Sequence, residues 1–174
     1  SLVAVALYHF ELLQRGLMPA CRRFIYFDRA FHGRTVFALN VTRLDHDANI
    51  SPWLLAAEDR GCNITWVDFD VEDCTLKLDD FERALAKKPK LVAFGYASNA
   101  VGTINPVHRL TQMAHEAGAL VYVDAVQYAP HGPIDVQDID ADFYVFTGHK
   151  LYGPTGIGVL YAKHEHLVAM RPYN

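Results

Sequence analysis

Asp142-Phe143-Tyr144-Val145-Phe146-Thr147-Gly148-His149-Lys150-Leu151-Tyr152-Gly153-Pro154 is the stretch whose reading decides the fold. An aromatic and apolar run, Phe143 to Phe146, passes directly into a turn that carries a hydroxyl, a glycine, an imidazole and a lysine. A second apolar run, Gly156 to Tyr161, follows. Short apolar runs bounded by turn residues read as buried strands. Lys150 therefore stands where a strand ends, backed by aromatic residues. A solvated lysine is the common case, but this one has apolar and glycine-rich neighbours. Partial desolvation frees an amine to attack a carbonyl, which is the chemistry of a Schiff-base lysine.

The same pattern extends upstream. Leu120-Val121-Tyr122-Val123 is a strand that ends at Asp124, and the spacing predicts further strands at Leu91 to Tyr96 and Ile64 to Phe69. Helices fall between them. Pro106 to Ala117 is closed by Gly118, and Asp79 or Asp80 caps a helix that runs to Lys87 before Pro89. Ser51 is the expected N-cap of a helix with Pro52 in its first turn and Gly61 at its end. Residues 1 to 17 read as a helix stopped at Gly16, followed by a short strand at Phe24 to Phe27, a turn at 30–35 and an apolar run, Val36 to Val41.

Strand and helix alternate, and the strands are apolar nearly throughout. This predicts an α/β domain with a mostly parallel sheet covered by helices on both faces. Ligands of such sheets bind beyond the carboxyl ends of the strands. The residues at those exits are the functional candidates: His46, Asn99, Asp124, Gln127, Thr147, His149 and Lys150.

Composition narrows the function classes. At 174 residues, 51% hydrophobic and 21% charged, the chain has the size and balance of one globular domain. A net charge of −4 gives no electrostatic footprint for nucleic acid or an anionic membrane. No apolar stretch approaches the roughly 20 residues that span a bilayer. The opening residues lack the basic start of a signal peptide. Cys21, Cys62 and Cys74 have no metal-type spacing and are odd in number, so a reducing, cytoplasmic setting is expected.

Asp124 alone has several readings. A carboxylate at a strand exit caps a helix, binds a metal or holds a proton on a heterocycle. Too few convergent ligands accompany it for a metal site. Together with a strand-end lysine it fits a third chemistry: a pyridinium nitrogen needs a buried carboxylate, and an aldehyde needs a lysine. Thr147 and His149 flank the lysine and suit a phosphate. Asn99 reads equally as a turn residue. His46 without further context is an ordinary loop histidine. A nucleotide-binding reading of Gly153 to Gly158 is weaker, because phosphate-cradling glycines open a helix rather than precede a strand.

Val123-Asp124-Ala125-Val126-Gln127, followed by Asp142 to Gly158 with its Gly-His-Lys-Leu-Tyr-Gly-Pro-Thr-Gly core, closely resembles the class V aminotransferase family, above all its cysteine desulfurase and selenocysteine lyase branch. Arg43 to Trp53 and Ser98 to Thr103 match in order and spacing. The resemblance covers residues 41 to 174 and implies the large domain of a fold-type I enzyme dependent on pyridoxal 5′-phosphate. It implies that Lys150 forms the Schiff base with the cofactor and that Asp124 pairs with the ring nitrogen. His46 would stack on the ring and help move protons, and Gln127 would bond the phenolic oxygen. Thr147 and His149 would hold the phosphate, with Asn99 near the substrate. Implied further are a homodimer, a small amino-acid substrate and a sulfur-acceptor protein. The expected activity is cleavage of the C–S bond of cysteine to give alanine and enzyme-bound sulfur. The alternatives are another reaction on the same scaffold, transamination or selenocysteine cleavage, and a cofactor-binding fragment without turnover.

The match also has departures. A Gly-Thr-Thr phosphate turn of the family is not found, and the smaller C-terminal domain, with its substrate arginine and persulfide cysteine, is expected to be missing. None of the three cysteines matches that cysteine. Residues 1–42 form a divergent N-terminal part ahead of the class V-like core at 43–174. Within them, Ala30 to Thr35 resembles the ring-stacking segment of class III aminotransferases, which leaves His32 as the reserve for the role given to His46.

Overall fold

The computed structural model describes residues 38–170. The expected helix at 1–17, strand at 24–27, turn at 30–35 with His32, and Cys21 lie outside the described residues. The apolar run Val36 to Val41 enters them partway, as the first strand.

Six strands form one sheet: β1 (Ala38–Thr42), β2 (Asn63–Val67), β3 (Leu91–Gly95), β4 (Leu120–Asp124), β5 (Phe143–Thr147) and β6 (Gly158–Ala162). Their spatial order is β2-β1-β3-β4-β5-β6. β1 to β5 are mutually parallel, and β6 returns antiparallel to β5, with Thr147 opposite Gly158. The helices are α1 (Ser51–Arg60), α2 (Leu78–Leu85), α3 (Val107–Glu116), α4 (Val136–Ile139) and α5 (His164–Ala169).

The period-2 alternation of side chains sorts each strand between two cores. Val92, Phe94, Val121, Val123 and Tyr144 pack with Phe81 and Leu85 of α2 and Val107 and Leu110 of α3. Their neighbours Leu91, Leu120, Tyr122 and Phe143 point the other way, to Trp53 of α1 and Leu167 of α5. Both faces of the sheet are therefore covered, which is why the strands carry almost no polar alternation. β3 lies in the middle and is buried at every residue.

Two expected caps are displaced. Ser51 is the first residue of α1, and Ile50 holds the cap position without a side-chain bond. The serine hydroxyl is engaged elsewhere: its Oγ donates to Asp47 at 2.6 Å. α2 is preceded by Lys77, so Asp79 and Asp80 lie in its first turn, where they favour the positive end of the helix dipole. Asp80 also pairs with Arg83. α2 stops at Leu85, short of Lys87, and the chain leaves through a left-handed Lys88 at φ 53°.

Gly61 closes α1 in the left-handed region at φ 66°. An added Cβ there would meet nothing within 4 Å, so only backbone strain opposes a side chain. Gly61→Ala is expected to cost about 1 kcal/mol in denaturant unfolding.

The order of strands reverses at β1, whose successor β2 lies on one side and β3 on the other. The loops leaving β1 and β3 diverge there and open a crevice at the carboxyl edge of the sheet.

Candidate active site

A cavity of about 420 Å³ occupies this crevice. The segment after β1 contributes Asp45, His46 and Asn49, and the end of β3 contributes Gly95 and Ala97. β4 and its exit supply Tyr122, Asp124 and Gln127, and β5 and its exit supply Thr147, His149 and Lys150. Six of the seven residues expected at strand exits thus meet in one space. The seventh, Asn99, is exposed in the turn Ser98–Gly102 and does not line the cavity. That turn is closed by the Gly102 N–H donating to the Ser98 carbonyl and by Ser98 Oγ accepting from Ala100 and Val101.

Lys150 is held by the geometry of its turn. Gly148 to Lys150 form a single 3-10 turn directly after β5. The Gly148 N–H donates to Ile157 O at 2.8 Å, and the N–H groups of Leu151 and Gly153 both donate to Gly148 O at 2.9 Å. The loop from 148 to 157 is thus cinched at its base, and the lysine is presented from a fixed rim. Thr147 Oγ1 donates to Ile157 O and lies 2.7 Å from His149 Nδ1, so hydroxyl and imidazole are joined beside the amine.

Asp124 ends β4, its Oδ1 accepting from the Val126 N–H at 3.0 Å. Burial pushes its pKa above the ordinary carboxylate value, while the Val126 bond and the charges of His46 and Lys150 pull it back. Below it Tyr122 packs edge-on against Trp53 at 5.1 Å. Burial and the nearby Asp124 raise the Tyr122 pKa, so this phenol stays neutral and serves as apolar floor. His46 opens the 3-10 turn Asp47–Asn49, its Nδ1 accepting from the Ala48 N–H at 3.0 Å. In the neutral ring the proton then sits on Nε2.

Asp45 was not singled out by its sequence position, yet it lines the cavity. Its Oδ1 accepts from the Gly95 N–H at 2.7 Å and its Oδ2 from Asn49 Nδ2 at 3.0 Å. Asn49 Oδ1 in turn accepts from Trp53 Nε1 at 3.0 Å. The signal available in the sequence was the spacing: Asp45, Asn49 and Trp53 recur every fourth residue, across the 3-10 turn and into α1.

Residues 34–174 match the family model described as aminotransferase class-V. The chain belongs to the class V aminotransferase family. A probable cysteine desulfurase of Halalkalibacterium halodurans is 46% identical over 132 residues, covering 76% of this chain and 32% of the relative. A cysteine desulfurase of Enterobacter sp. is 48% identical over 133 residues, with the same coverage of 76% and 32%. Among solved structures, a cysteine desulfurase from Escherichia coli superposes with a TM-score of 0.75 at 40% identity, covering 80% of this chain and 35% of that one. The apo cysteine desulfurase of Thermococcus onnurineus gives 0.78 at 31% identity, covering 95% and 38%. The class V chain described here therefore spans about a third of the length of these relatives. Its α/β architecture and its likeness to cysteine desulfurases agree with the sequence expectation. No helix among the described residues is long and apolar enough to cross a membrane.

Proposed function

We propose that this chain is the pyridoxal 5′-phosphate-binding part of a cysteine desulfurase. The observation that carries the reading is that Lys150 and Asp124 enter one cavity from the ends of adjacent strands, β5 and β4. The donor set fits the cofactor. It offers one amine for the aldehyde, one buried carboxylate for the ring nitrogen, a joined hydroxyl and imidazole for the phosphate, and an apolar floor for the ring.

In this reading Lys150 attaches the cofactor and Asp124 faces its ring nitrogen. Gln127 bonds the phenolic oxygen, Thr147 and His149 take the phosphate, and His46 covers the ring. Asn99, exposed in the turn after β3, would meet the substrate from outside the cavity. The bound cofactor supplies an electron sink for the substrate carbon that loses its proton. Lys150 Nζ would take that proton, from a position fixed by its cinched turn. Asp124 supplies negative charge where burial makes it count most. Its burial is offset by the two cations nearest to it, His46 when protonated and Lys150.

The domain reading goes with this: 43–174 as the class V core and 1–42 as a divergent part, completed in the native protein by a smaller domain that brings the substrate arginine and the sulfur-accepting cysteine. A homodimer, a small amino-acid substrate, a sulfur-acceptor protein and a cytoplasmic setting complete it.

The test is made on the protein at its full native length. Adding pyridoxal 5′-phosphate should give a visible absorption band that survives desalting. Borohydride reduction and peptide mass mapping should put the added mass on Lys150. No band, or mass on another lysine, overturns the assignment. With cysteine as substrate and a thiol reductant present, alanine and sulfide should appear in equal amounts. A band without either product leaves cofactor binding intact and removes the desulfurase reading.

A further inference from the structure

Asp45, Asn49 and Trp53 form a chain of hydrogen bonds whose direction is set at both ends. Trp53 Nε1 can only donate, so the Asn49 oxygen must face it. That turns the Asn49 amide nitrogen toward Asp45, which must then present an acceptor. The Gly95 N–H at the other end also only donates, and it takes the second Asp45 oxygen. Both oxygens of one carboxyl group thus accept, and the Thr42 hydroxyl acts on the same group; a carboxylate meets this demand best and an amide in its place does not. The approach to β3 is close: a Cβ on Gly95 would lie 2.8 Å from Asp45 Oδ1. The residue that follows Asp45 is His46, whose carbonyl accepts from the Asn49 N–H at 2.8 Å.

We propose that Asp45 is a positioning residue: as a carboxylate it ties the loop bearing His46 to the end of β3 and fixes the place of the imidazole at the cavity. The consequence for the cofactor rests on the function proposed above, whereas the tether is a property of the protein alone.

The tether is sensitive to pH. Burial, with a smaller contribution from the Asp124 carboxylate, pushes the Asp45 pKa up to about 7, against the pull of its hydrogen bonds. The ionisable groups that share its cavity are Asp124 and Tyr122 from β4, His149 and Lys150 from the exit of β5, and His46 on its own loop; of these the Asp124 charge acts on it. Asp47 is turned to Ser51, and the end of β3 offers only Gly95 and Ala97. Above pH 7 the carboxylate accepts at both ends. Below it, protonation removes the charge that strengthens both bonds, and the tether slackens.

Trp53 reports on this directly once Trp66, and any tryptophan of the native protein outside these residues, is replaced by phenylalanine. In that background, without cofactor, Trp53 fluorescence should follow a single titration with a midpoint near 7. The titration should vanish in D45N, whose amide nitrogen meets that of Asn49. The swapped pair D45N/N49D restores the chain of bonds, because the new amide donates to the new carboxylate, which still accepts from Trp53. Side-chain 15N spectra should give the Nε2–H tautomer for His46 in the parent and the swapped pair, and tautomer exchange in D45N. With pyridoxal 5′-phosphate, D45N should bind about tenfold more weakly, as a buried mismatched pair predicts, and the swapped pair should recover. A flat Trp53 signal around pH 7 in folded protein, or an unchanged His46 tautomer in D45N, overturns the proposal. The Trp53 and His46 signals without a cofactor band would uphold the tether and reject the cofactor reading.

Discussion

Lys150→Ala is expected to leave the protein folded and remove covalent cofactor attachment altogether. The two halves of this outcome have separate causes. Among the described residues no hydrogen bond or ion pair of the Lys150 ammonium is found, and its turn is closed by backbone bonds from Gly148, Leu151 and Gly153. Truncating the side chain therefore takes nothing from the fold beyond a solvated charge near Asp124. That charge helps to pull the Asp124 pKa down, so the variant should hold Asp124 more readily protonated. The chemistry has no substitute among the described residues: none of them besides Lys150 brings an amine to the cavity, and an aldehyde needs one. The visible band should fall to background while circular dichroism is unchanged. Turnover of cysteine by the full-length protein should drop at least about 10³-fold, since nucleophile and proton acceptor are lost together. A band of undiminished strength in the variant would show that another lysine carries the cofactor.

This site was legible because its residues stand at strand exits. Asp124 directly follows four apolar residues and Lys150 follows four with Thr147, Gly148 and His149 between, and a parallel sheet brings such exits to one edge whatever the loops between them do. The same logic gave His46, Thr147 and His149 their common cavity. It fails for Asn99, because the turn after β3 curls on itself through Ser98 and carries Asn99 out to solvent. It also passes over Asp45, whose partner Gly95 is fifty residues distant in sequence. Nothing in the neighbourhood of Leu44-Asp45-His46 says that the aspartate faces a strand end. The caps of α1 and α2 were misplaced for a local reason: Ser51 and Asp80 each had a side-chain partner that competed with capping.

The second large effect lies at the opposite end of β5, where Asp142 precedes the first strand residue. It is 3% exposed and gathers four donors. The Val121 N–H reaches Oδ2 at 2.8 Å, His115 Nε2 reaches the same oxygen at 2.9 Å, and His166 Nε2 reaches Oδ1 at 2.9 Å. Lys163 Nζ stands 3.2 Å from Oδ1. One carboxylate thus joins β4, β5, α3 and the start of α5, elements from both sides of the sheet. Burial alone would raise its pKa, but the bonds from His115, His166 and Val121 and the charge of Lys163 outweigh it and hold the carboxyl below its ordinary 3.8. A depressed carboxylate contributes stability that is present in full above its unfolded value and is lost as pH falls through the folded one. Asp142→Ala should therefore cost about 3–5 kcal/mol near neutral pH, the penalty for leaving buried partners unmatched. The difference from the parent should shrink only below 3.8. Should the alanine variant not accumulate, Asp142→Asn keeps the shape, removes the charge and should give a smaller loss with the same pH dependence. Urea unfolding at neutral and strongly acid pH measures both. The cofactor band makes the contrast with Lys150 decisive, because β5 separates the two ends of its own chemistry. Asp142→Asn should lower the unfolding midpoint and leave the band in place, whereas Lys150→Ala should remove the band and leave the midpoint of the cofactor-free protein where it was.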